Sequence, residues 1–496
     1  MRINSTDRYL QLVSWALETT IIPDLQSAAS KGLAEIIRVV LVESRKREGV
    51  AAPLLRECIS IGHAIELEVR AFLGEPIATQ AIPAAREVGD DYASLSERHA
   101  ALTARLSLLC NQLAARRREA PDTLSTDSAG DVLLRRVAEW EMDYYVRHSQ
   151  LSVPPPAPSS ADARAPLSGE FLELFLNEQQ TAPQSVKLVS FQPLLGGYGK
   201  QTYICRLRET ASGAESEIVV RKTAPNSHMS FGFSTLEQEF YLLRALAKTD
   251  FPSPHPELLA SNRPEVDGSF YTMPRIRGSV AGSFLGGAAV GHSQELYLQI
   301  ADLMARLHTI PIETLGDYLR EHGDAAILNA DVEECYRRNL DDWRSYTAAT
   351  EFLPSPYLSW LFDWLDRHVH KDKRRPVLIH GDFNIHNVLA VEGKITGVLD
   401  WECAGFGAPE QDLAYIRPHI SKHVDWTVFI ERYHASGGPA LNDDFMQFCL
   451  IYSAIRVNLG GNRLAYDVQR GVNWDIRYAM VDLGFTQAFM HMGLGA

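Results

Sequence analysis

The chain has 496 residues, a formal net charge of -14 at pH 7 and a hydrophobic content of 46%. This length predicts two or three domains with buried cores. Because the acidic balance leaves no broad basic surface to neutralise phosphates, we exclude a nucleic-acid-binding protein.

The N-terminal segment, the length of the apolar runs and the cysteine spacing together predict the cellular compartment. The segment from Met1 to Arg8 lacks the apolar core of a signal peptide, and no apolar run reaches transmembrane length. The six cysteines are scattered without paired spacing, which is typical of reduced thiols and gives no case for zinc or disulfides. We therefore expect a cytoplasmic protein that has no membrane partner.

Residues 1–150 predict an all-α helical bundle. Four apolar stripes at helical spacing support it: Leu10 to Leu17, Leu33 to Val40, Leu102 to Leu113, and Leu133 to Tyr144. His63 lies among apolar residues and is expected to be a core or boundary histidine. The role of the bundle stays open between docking, dimerisation and substrate presentation. Residues 151–167, rich in Pro, Ala and Ser, predict a semi-rigid linker.

The next part of the chain reads as strands and one helix. Gly196, Gly197 and Gly199 stand between two apolar runs, as in a strand-turn-strand that either covers phosphates or simply forms a hairpin. The stretch 217–222 predicts a strand that ends in Arg221 and Lys222, which point to opposite faces.

An amphipathic helix is predicted over Ser234 to Ala247, behind a Ser or Thr N-cap. A strand over Phe270 to Arg275 follows it, and a second amphipathic helix runs from Leu296 to His308, where His308 is expected to cap the end.

The most informative segment is 376–402. Apolar runs at 388–391 and 395–399, joined by a Glu-Gly-Lys turn, predict a hairpin that brings Asn387 and Asp400 together. Amide and carboxylate oxygens suit Mg²⁺. Asp382 lies in the loop before the hairpin, where a carboxylate can accept the proton of an attacking hydroxyl. A catalytic base followed along the chain by two metal ligands is the order typical of a kinase catalytic loop.

The segments 380–387, 399–402 and 409–414 resemble the aminoglycoside phosphotransferase and choline kinase group of small-molecule kinases. Within it, the chain is similar to the kinase domains found beside or fused to acyl-CoA dehydrogenases, which include kinases of hydroxyacyl-CoA thioesters. The resemblance implies an α+β, two-lobed, protein-kinase-like fold behind the helical bundle. It places a small lobe with an antiparallel sheet at 168–278 and a large, mostly helical lobe at 279–496.

The resemblance also implies roles for single residues. Asp382 would be the base, His380 a loop-ordering residue, and Asn387 and Asp400 the ligands of Mg²⁺. Glu402 would share a strand face with Asp400 if the strand continued, so it either contacts metal or substrate or is a structural acid. Asp412 is expected to order the loop after the site or to cap the helix that begins near Leu413.

ATP, or another nucleoside triphosphate, would bind beneath the three glycines. Arg221 is expected to grip its phosphates and Glu239 to hold Arg221, with Glu237 as the competing acid. Met273 would lie near the purine base of the nucleotide. Lys222 is expected to be a solvated lysine at the strand end, although its participation stays open.

The acceptor is expected to be a hydroxyl group of a small molecule, because about ten residues separate Trp401 from Asp412 and leave no activation segment for a peptide. A hydroxyacyl-CoA is the first choice, by resemblance, with an acyl-CoA dehydrogenase as partner in the same pathway. An aminoglycoside or amino alcohol is the second, and a catalytically inactive binding module is the rival from another class. The sequence contains candidate residues for either charge of acceptor. A cationic acceptor could be bound by acids, namely Asp341, Asp342, Asp443 and Asp444. An anionic acceptor could be bound by Arg456, Asn458 and Arg463.

Overall fold

A computed structural model describes residues 14, 17–47, 51–75, 92–119, 129–148, 165–179, 185–194, 199–223, 234–282, 291–369, 371–469 and 486–494. The chain divides into two compact units. The first comprises Met1–Pro158, Tyr346–His368 and Ala454–Ala496, and the second comprises Ser159–Ser345 and Val369–Ser453. The domain boundaries expected from the sequence stay predictions.

The N-terminal segment is helical. A π-helical turn at Leu17–Ile21 and a short helix at Ile22–Asp24 precede four long helices: α1 (Ala28–Arg47), α2 (Ala51–Leu73), α3 (Tyr92–Glu119) and α4 (Ala129–His148).

The N-lobe of the second unit contains α5 (Gly169–Gln179), β1 (Val186–Leu194), β2 (Lys200–Glu209), β3 (Glu215–Thr223), α6 (Leu236–Leu246), β4 (Leu258–Ala260) and β5 (Phe270–Pro274). Its strands form one antiparallel sheet in the order β1-β2-β3-β5-β4.

The chain continues with β6 (Ser279–Val280), α7 (Gln294–His308), α8 (Gly316–Glu321), α9 (Val332–Ala349), α10 (Pro356–His368), β7 (Val377–Ile379), β8 (Val388–Val391), β9 (Lys394–Val398), β10 (Gly405–Gly407), α11 (Glu410–Ile420), α12 (Trp426–Ala435), α13 (Asp443–Gln469) and α14 (Thr486–Leu494). Short 3₁₀ turns lie at Ile312–Leu315, Ala325–Leu328, Ile385–Asn387 and Trp401–Cys403. Strands β6, β8 and β9 form one small sheet, and β10 pairs with β7.

In the first unit, α2 packs against α3 and α4, and the later helices α10 and α14 pack against α4. The stripe Leu102, Leu106, Leu109 and Leu113 is buried as predicted. Helix α1 was predicted with the wrong face, since Leu33 is 40% exposed and Ile36 is buried.

The four stripes did not include α2, although Leu55, Ile59, Ile65, Val69 and Leu73 are buried along it at helical spacing. At Gly62 the helix approaches α4 closely, since a Cβ there would lie 2.7 Å from the ring of Trp140. His63 of the same helix is partly exposed and lies 3.4 Å from Glu66, which fits a boundary histidine. Leu10 and Val13 of the first stripe lie outside the described residues.

The N-lobe sheet has two different faces. Ile218, Val220 and Lys222 of β3 lie on the face that α5 covers, where Phe175 packs edge-on against Phe270 with ring centroids 5.0 Å apart. Val219 and Arg221 lie on the opposite face. The sheet therefore presents Arg221 on the side away from α5.

The hairpin of β8 and β9 is confirmed, with Val388 opposite Val398. Its turn places Glu392 at φ 49° and Gly393 at φ 78°, a left-handed pair that glycine accommodates easily. Together with the mostly helical C-lobe, these sheets confirm the α+β fold class.

All six cysteines lie within the described residues as free thiols. Among the described residues, no helix combines the length and the apolar character needed to cross a bilayer.

Candidate active site

The loop after β7 is organised by one buried carboxylate. Asp412, at the start of α11, accepts the backbone N–H of His380 (2.8 Å) and of Gly381 (2.7 Å), and Nε2 of His308 lies 3.2 Å from it. Burial opposes ionisation, yet the contacts with His308 and the His380 backbone keep the pKa of Asp412 below its usual value. Asp412 therefore holds the loop that precedes the hairpin, whereas it was expected to order the loop after the site, and His308 contacts Asp412 instead of capping α7.

His380 connects the loop to the segment that carries Asp400. Its Nε2 lies 2.9 Å from the carbonyl oxygen of Leu399, and its Nδ1 accepts the N–H of Asp382 at 3.3 Å. Because a carbonyl only accepts, the ring carries its hydrogen on Nε2. The ring is fully buried, with its centroid 4.8 Å from that of Trp401. The loop-ordering role of His380 stays a prediction, which these contacts support.

Asp382 and Asn387 are held together. The Asn387 side-chain nitrogen donates to the backbone oxygen of Asp382 and to its Oδ2, both at 2.9 Å. Burial opposes ionisation of Asp382, but His386, Tyr415 and His380 lower its pKa to about 2. Asp382 is therefore a carboxylate at neutral pH.

Asp400 follows the hairpin directly. The N–H of Leu399 donates to the carbonyl of Asn387 at 2.7 Å, which extends the pairing by one residue beyond β9. Asp400 then takes a left-handed conformation (φ 65°) and begins the 3₁₀ turn Trp401–Cys403. Asp400 therefore lies one residue beyond the position that pairs with Asn387.

The strand does not continue past Asp400, so the strand-face argument for Glu402 was wrong. Glu402 nevertheless reaches the site from the 3₁₀ turn, with its Oε2 3.2 Å from Nζ of Lys200 and 3.6 Å from Arg221.

Arg221 lies between two carboxylates. Its Nε is 2.9 Å from Oε1 of Glu239, and its Nη2 contacts Oδ1 of Asp400. The Glu239 carboxylate also accepts the hydroxyl of Tyr271 at 2.9 Å. Burial opposes ionisation of Glu239, but Arg221 and Lys200 keep its pKa below the usual value. The competing acid, Glu237, instead accepts a hydrogen bond from Ser261 at 3.2 Å.

Two lysines differ from the expectation. Lys222 does point away from Arg221, but it is fully buried and pairs with Asp267 at 2.7 Å, so a solvated lysine was the wrong interpretation. Lys200 was missed, although its Nζ lies 2.6 Å from Oε2 of Glu239. Strand alternation could have found it, because Lys200 shares a face with Thr202, which pairs with Arg221.

The predicted nucleotide residues are only partly described. Met273 is buried on β5 opposite Val219, on the same sheet face as Arg221. Gly199 is buried directly before β2. Gly196 and Gly197 lie outside the described residues.

The donor set fits Mg²⁺. Because the nitrogen of the Asn387 amide donates to Asp382, its amide oxygen is the atom that could serve as a metal ligand, together with the Asp400 carboxylate. Among the described residues, no group of three or more His, Cys, Asp or Glu side chains could hold a metal. An amide with one carboxylate suits a cation that completes its shell with water and phosphate oxygens.

Known proteins share this part of the chain. Residues 190–447 match the model of the APH phosphotransferase enzyme family. Acyl-CoA dehydrogenase family member 11 of Rattus norvegicus is 29% identical over 211 residues, which are 42% of this chain and 25% of that protein. Hygromycin-B 4-O-kinase of Escherichia coli is 39% identical over 69 residues, 13% of this chain and 20% of that protein.

A solved structure of a putative aminoglycoside phosphotransferase from Ralstonia eutropha is 21% identical, with a TM-score of 0.48, and the match covers 66% of this chain and 97% of that one. This chain spans about a quarter of the length of the acyl-CoA dehydrogenase family member 11 of rat.

The matched region contains the ordered loop, the hairpin and the ion pairs around Arg221, and it extends over more than half of the chain. The motifs of the sequence had indicated the same family, and the chain belongs to the APH phosphotransferase enzyme family.

Proposed function

We propose that this chain transfers the terminal phosphoryl group of ATP, or of another nucleoside triphosphate, to a hydroxyl group of a small molecule, with a hydroxyacyl-CoA as the acceptor class. The observation that carries the proposal is the common placement of Asp382, Asn387 and Asp400 around one loop and hairpin. Arg221 connects Asp400 to Glu239 on the N-lobe, so the donor and metal residues are joined by direct contacts.

The donor would bind against the face of the sheet that carries Arg221 and Met273, with Gly196, Gly197 and Gly199 over its phosphates. Arg221, held by Glu239, would grip phosphate oxygens. Asn387 and Asp400 would hold Mg²⁺, which supplies charge neutralisation of the phosphates.

Asp382 would accept a hydrogen bond from the acceptor hydroxyl and orient its oxygen towards the phosphorus. Phosphoryl transfer through a loose transition state asks mainly for positioning and charge neutralisation. A carboxylate whose pKa is about 2 suits this role, because it stays ionised and takes the proton late.

The acceptor class is supported by two features. Between the Asp400 turn and α11 the chain forms only the short strand β10, which leaves no extended segment to hold a peptide. The likeness to an acyl-CoA dehydrogenase family member favours a CoA thioester, and an acyl-CoA dehydrogenase is the corresponding pathway partner.

An aminoglycoside or amino alcohol is the second acceptor class, favoured by the likeness to hygromycin-B 4-O-kinase. A cationic acceptor would need an acid-rich pocket, but the four acids considered for it are exposed: Asp341, Asp342, Asp443 and Asp444. Of the residues considered for an anionic acceptor, Arg463 already forms an ion pair with Asp467 at 2.9 Å. An inactive binding module would be expected to lack at least one residue of the set Asp382, Asn387 and Asp400.

Purified protein should be incubated with ATP, Mg²⁺ and a panel of hydroxyacyl-CoAs, aminoglycosides and amino alcohols, with ADP release and product mass as readouts. We expect a phosphorylated hydroxyacyl-CoA. If only the aminoglycosides or amino alcohols gave a phosphorylated product, they would be the acceptor class in place of the hydroxyacyl-CoAs. Neither turnover nor a nucleotide-induced thermal shift would favour the binding module.

A further inference from the structure

Lys200 is a buried cation that the family motifs do not explain. It is the first residue of β2, and its side chain is only 8% exposed. Its Nζ lies 2.6 Å from Glu239 and 3.2 Å from Glu402, and it donates to the carbonyl of Ser234 at 3.2 Å. Burying an ammonium group is unfavourable without such partners, so the cation is held in place by its surroundings.

The sheet register places Lys200 beside Arg221. Thr202 of β2 pairs directly with Arg221 of β3, and Lys200 lies two residues before Thr202. Because side chains alternate along a strand, Lys200 and Arg221 project from the same face of the sheet. Both reach Glu239, Lys200 through Oε2 and Arg221 through Oε1.

The cluster becomes more accessible towards Asp400. The exposed fraction of the side chain is 2% for Glu239, 14% for Arg221 and 27% for Asp400. An anion that approaches from the Asp400 side would therefore meet Arg221 first and then Lys200. Glu402 lies at the same rim, within 3.6 Å of both cations.

We propose that Lys200 is a second phosphate-binding cation of the donor site, and that Glu402 is the anion it exchanges for a phosphate oxygen. This inference rests on the proposed function and deepens it. In the structure the two cations face three carboxylates, Glu239, Glu402 and Asp400. With Glu402 displaced and Asp400 engaged by the cation that accompanies the nucleotide, Lys200 and Arg221 would face only Glu239, which leaves one positive charge for a polyphosphate. The ligand class is a nucleoside triphosphate or free polyphosphate.

The variants Lys200→Met, Lys200→Arg and Lys222→Met test the proposal. Lys222 is the matched control, because it is an equally buried lysine on the adjacent strand, but it points to the other face and pairs with Asp267. Calorimetry should measure the Kd of ATP, tripolyphosphate and adenosine, with and without Mg²⁺.

We expect Lys200→Met to weaken ATP and tripolyphosphate binding by about 10- to 100-fold, as expected for one hydrogen bond to a charged group. Adenosine binding should change less than about 2-fold. Lys200→Arg should retain most of the affinity, and Lys222→Met should bind like the wild type. An unchanged ratio of ATP to adenosine affinity in Lys200→Met overturns the proposal, as does an equal loss for all three ligands.

If Lys200→Met fails to fold, Glu402→Gln gives a second measurement. Glutamine has nearly the volume of glutamate, so this substitution leaves no cavity. Removal of the competing anion should tighten metal-free tripolyphosphate binding, and unchanged or weaker binding overturns the proposal. A wild type that binds neither ATP nor tripolyphosphate overturns both this inference and the proposed function. A wild type that binds and transfers phosphate, with Lys200→Met unaffected, overturns only the role of Lys200.

Discussion

A carboxyl group with a pKa of about 2 is a weak base, and this limits how Asp382 can act. In its proposed role it would orient a hydroxyl through a strong hydrogen bond, without holding a proton in the resting state. His386, with Nε2 3.9 Å from Oδ2, and Tyr415 are the neighbours that lower the pKa of Asp382 most.

Asp382→Asn should reduce kcat by about two to four orders of magnitude, the range expected for loss of general base catalysis, while the Kd of the nucleotide stays within a few-fold. For the wild type, ionisation of Asp382 should add no acidic limb to the pH dependence of kcat between about pH 5 and 8, since its pKa is about 2. Steady-state rates and calorimetry check both outcomes. Nearly intact turnover in the variant would remove Asp382 from its proposed role.

Arg221→Lys should raise the KM for ATP by about 10-fold with little change in stability. A guanidinium contacts Glu239 and Asp400 together, whereas a single ammonium has no fork with which to span them. Steady-state kinetics at varied ATP measure the effect. Arg208→Lys is the control. Arg208 lies on the exposed part of β2, and its ion pair with Glu215 of β3 is outside the proposed nucleotide site. A KM equal to that of the control would contradict the proposed grip on the phosphates.

At the scale of elements, the N-terminus of α6 determines where Glu239 stands. Thr235 accepts the N–H of Gln238 at 3.1 Å, and the Gln238 side chain accepts the N–H of Thr235 at 3.0 Å, a capping box. The cap fixes the first turn, and Glu239 follows one residue later.

Thr235→Ala should lower the free energy of unfolding by about 1 kcal/mol, because the N-cap hydrogen bond is lost. ATP affinity should fall a few-fold as the first turn of α6 loosens. Thr235→Ser keeps the hydroxyl and should behave like the wild type in urea unfolding and in calorimetry. If Ser and Ala were equally damaging, the methyl group would matter more than the cap.

Sequence reasoning succeeded where local signals and chain order were enough. The turn at Glu392 and Gly393 fixed the hairpin, and the alternation along β3 separated Arg221 from Lys222 correctly. It failed where distant segments meet. Burial of Lys222 depends on Asp267, and the site of Lys200 depends on Glu402, about 200 residues away. The left-handed turn at Asp400 also removed the condition under which Glu402 would have shared a strand face with Asp400.

At the scale of the whole molecule, the first unit gathers helices from three separate parts of the chain. One contact in this unit joins two of those parts: Glu141 of α4 accepts the N–H of Tyr357 (2.6 Å) and the hydroxyl of Ser355 (3.1 Å) at the start of α10. The side chain is buried, and burial raises its pKa to about 7, although both hydrogen bonds act in the opposite direction.

The raised pKa of Glu141 predicts that stability falls as pH rises. The folded protein keeps this proton up to about pH 7, whereas the unfolded chain releases it near its ordinary value of 4.5. The contribution is therefore complete below the unfolded value and lost as pH rises through the folded one. Over pH 5 to 8 we expect a loss of about 2.5 kcal/mol from this group, since one pKa unit corresponds to about 1.4 kcal/mol.

Glu141→Gln isolates this effect, because glutamine keeps the acceptor oxygen and imitates the protonated acid without titrating. Urea unfolding followed by circular dichroism at pH 5, 6, 7 and 8 should give a wild-type free energy that declines relative to the variant. The difference should close below about pH 4.5, where Glu141 is protonated in the unfolded chain as well. A wild type that gains stability over the variant with rising pH would mean that Glu141 is stabilised as a carboxylate, and that the contact between α4 and α10 is ionic instead of neutral.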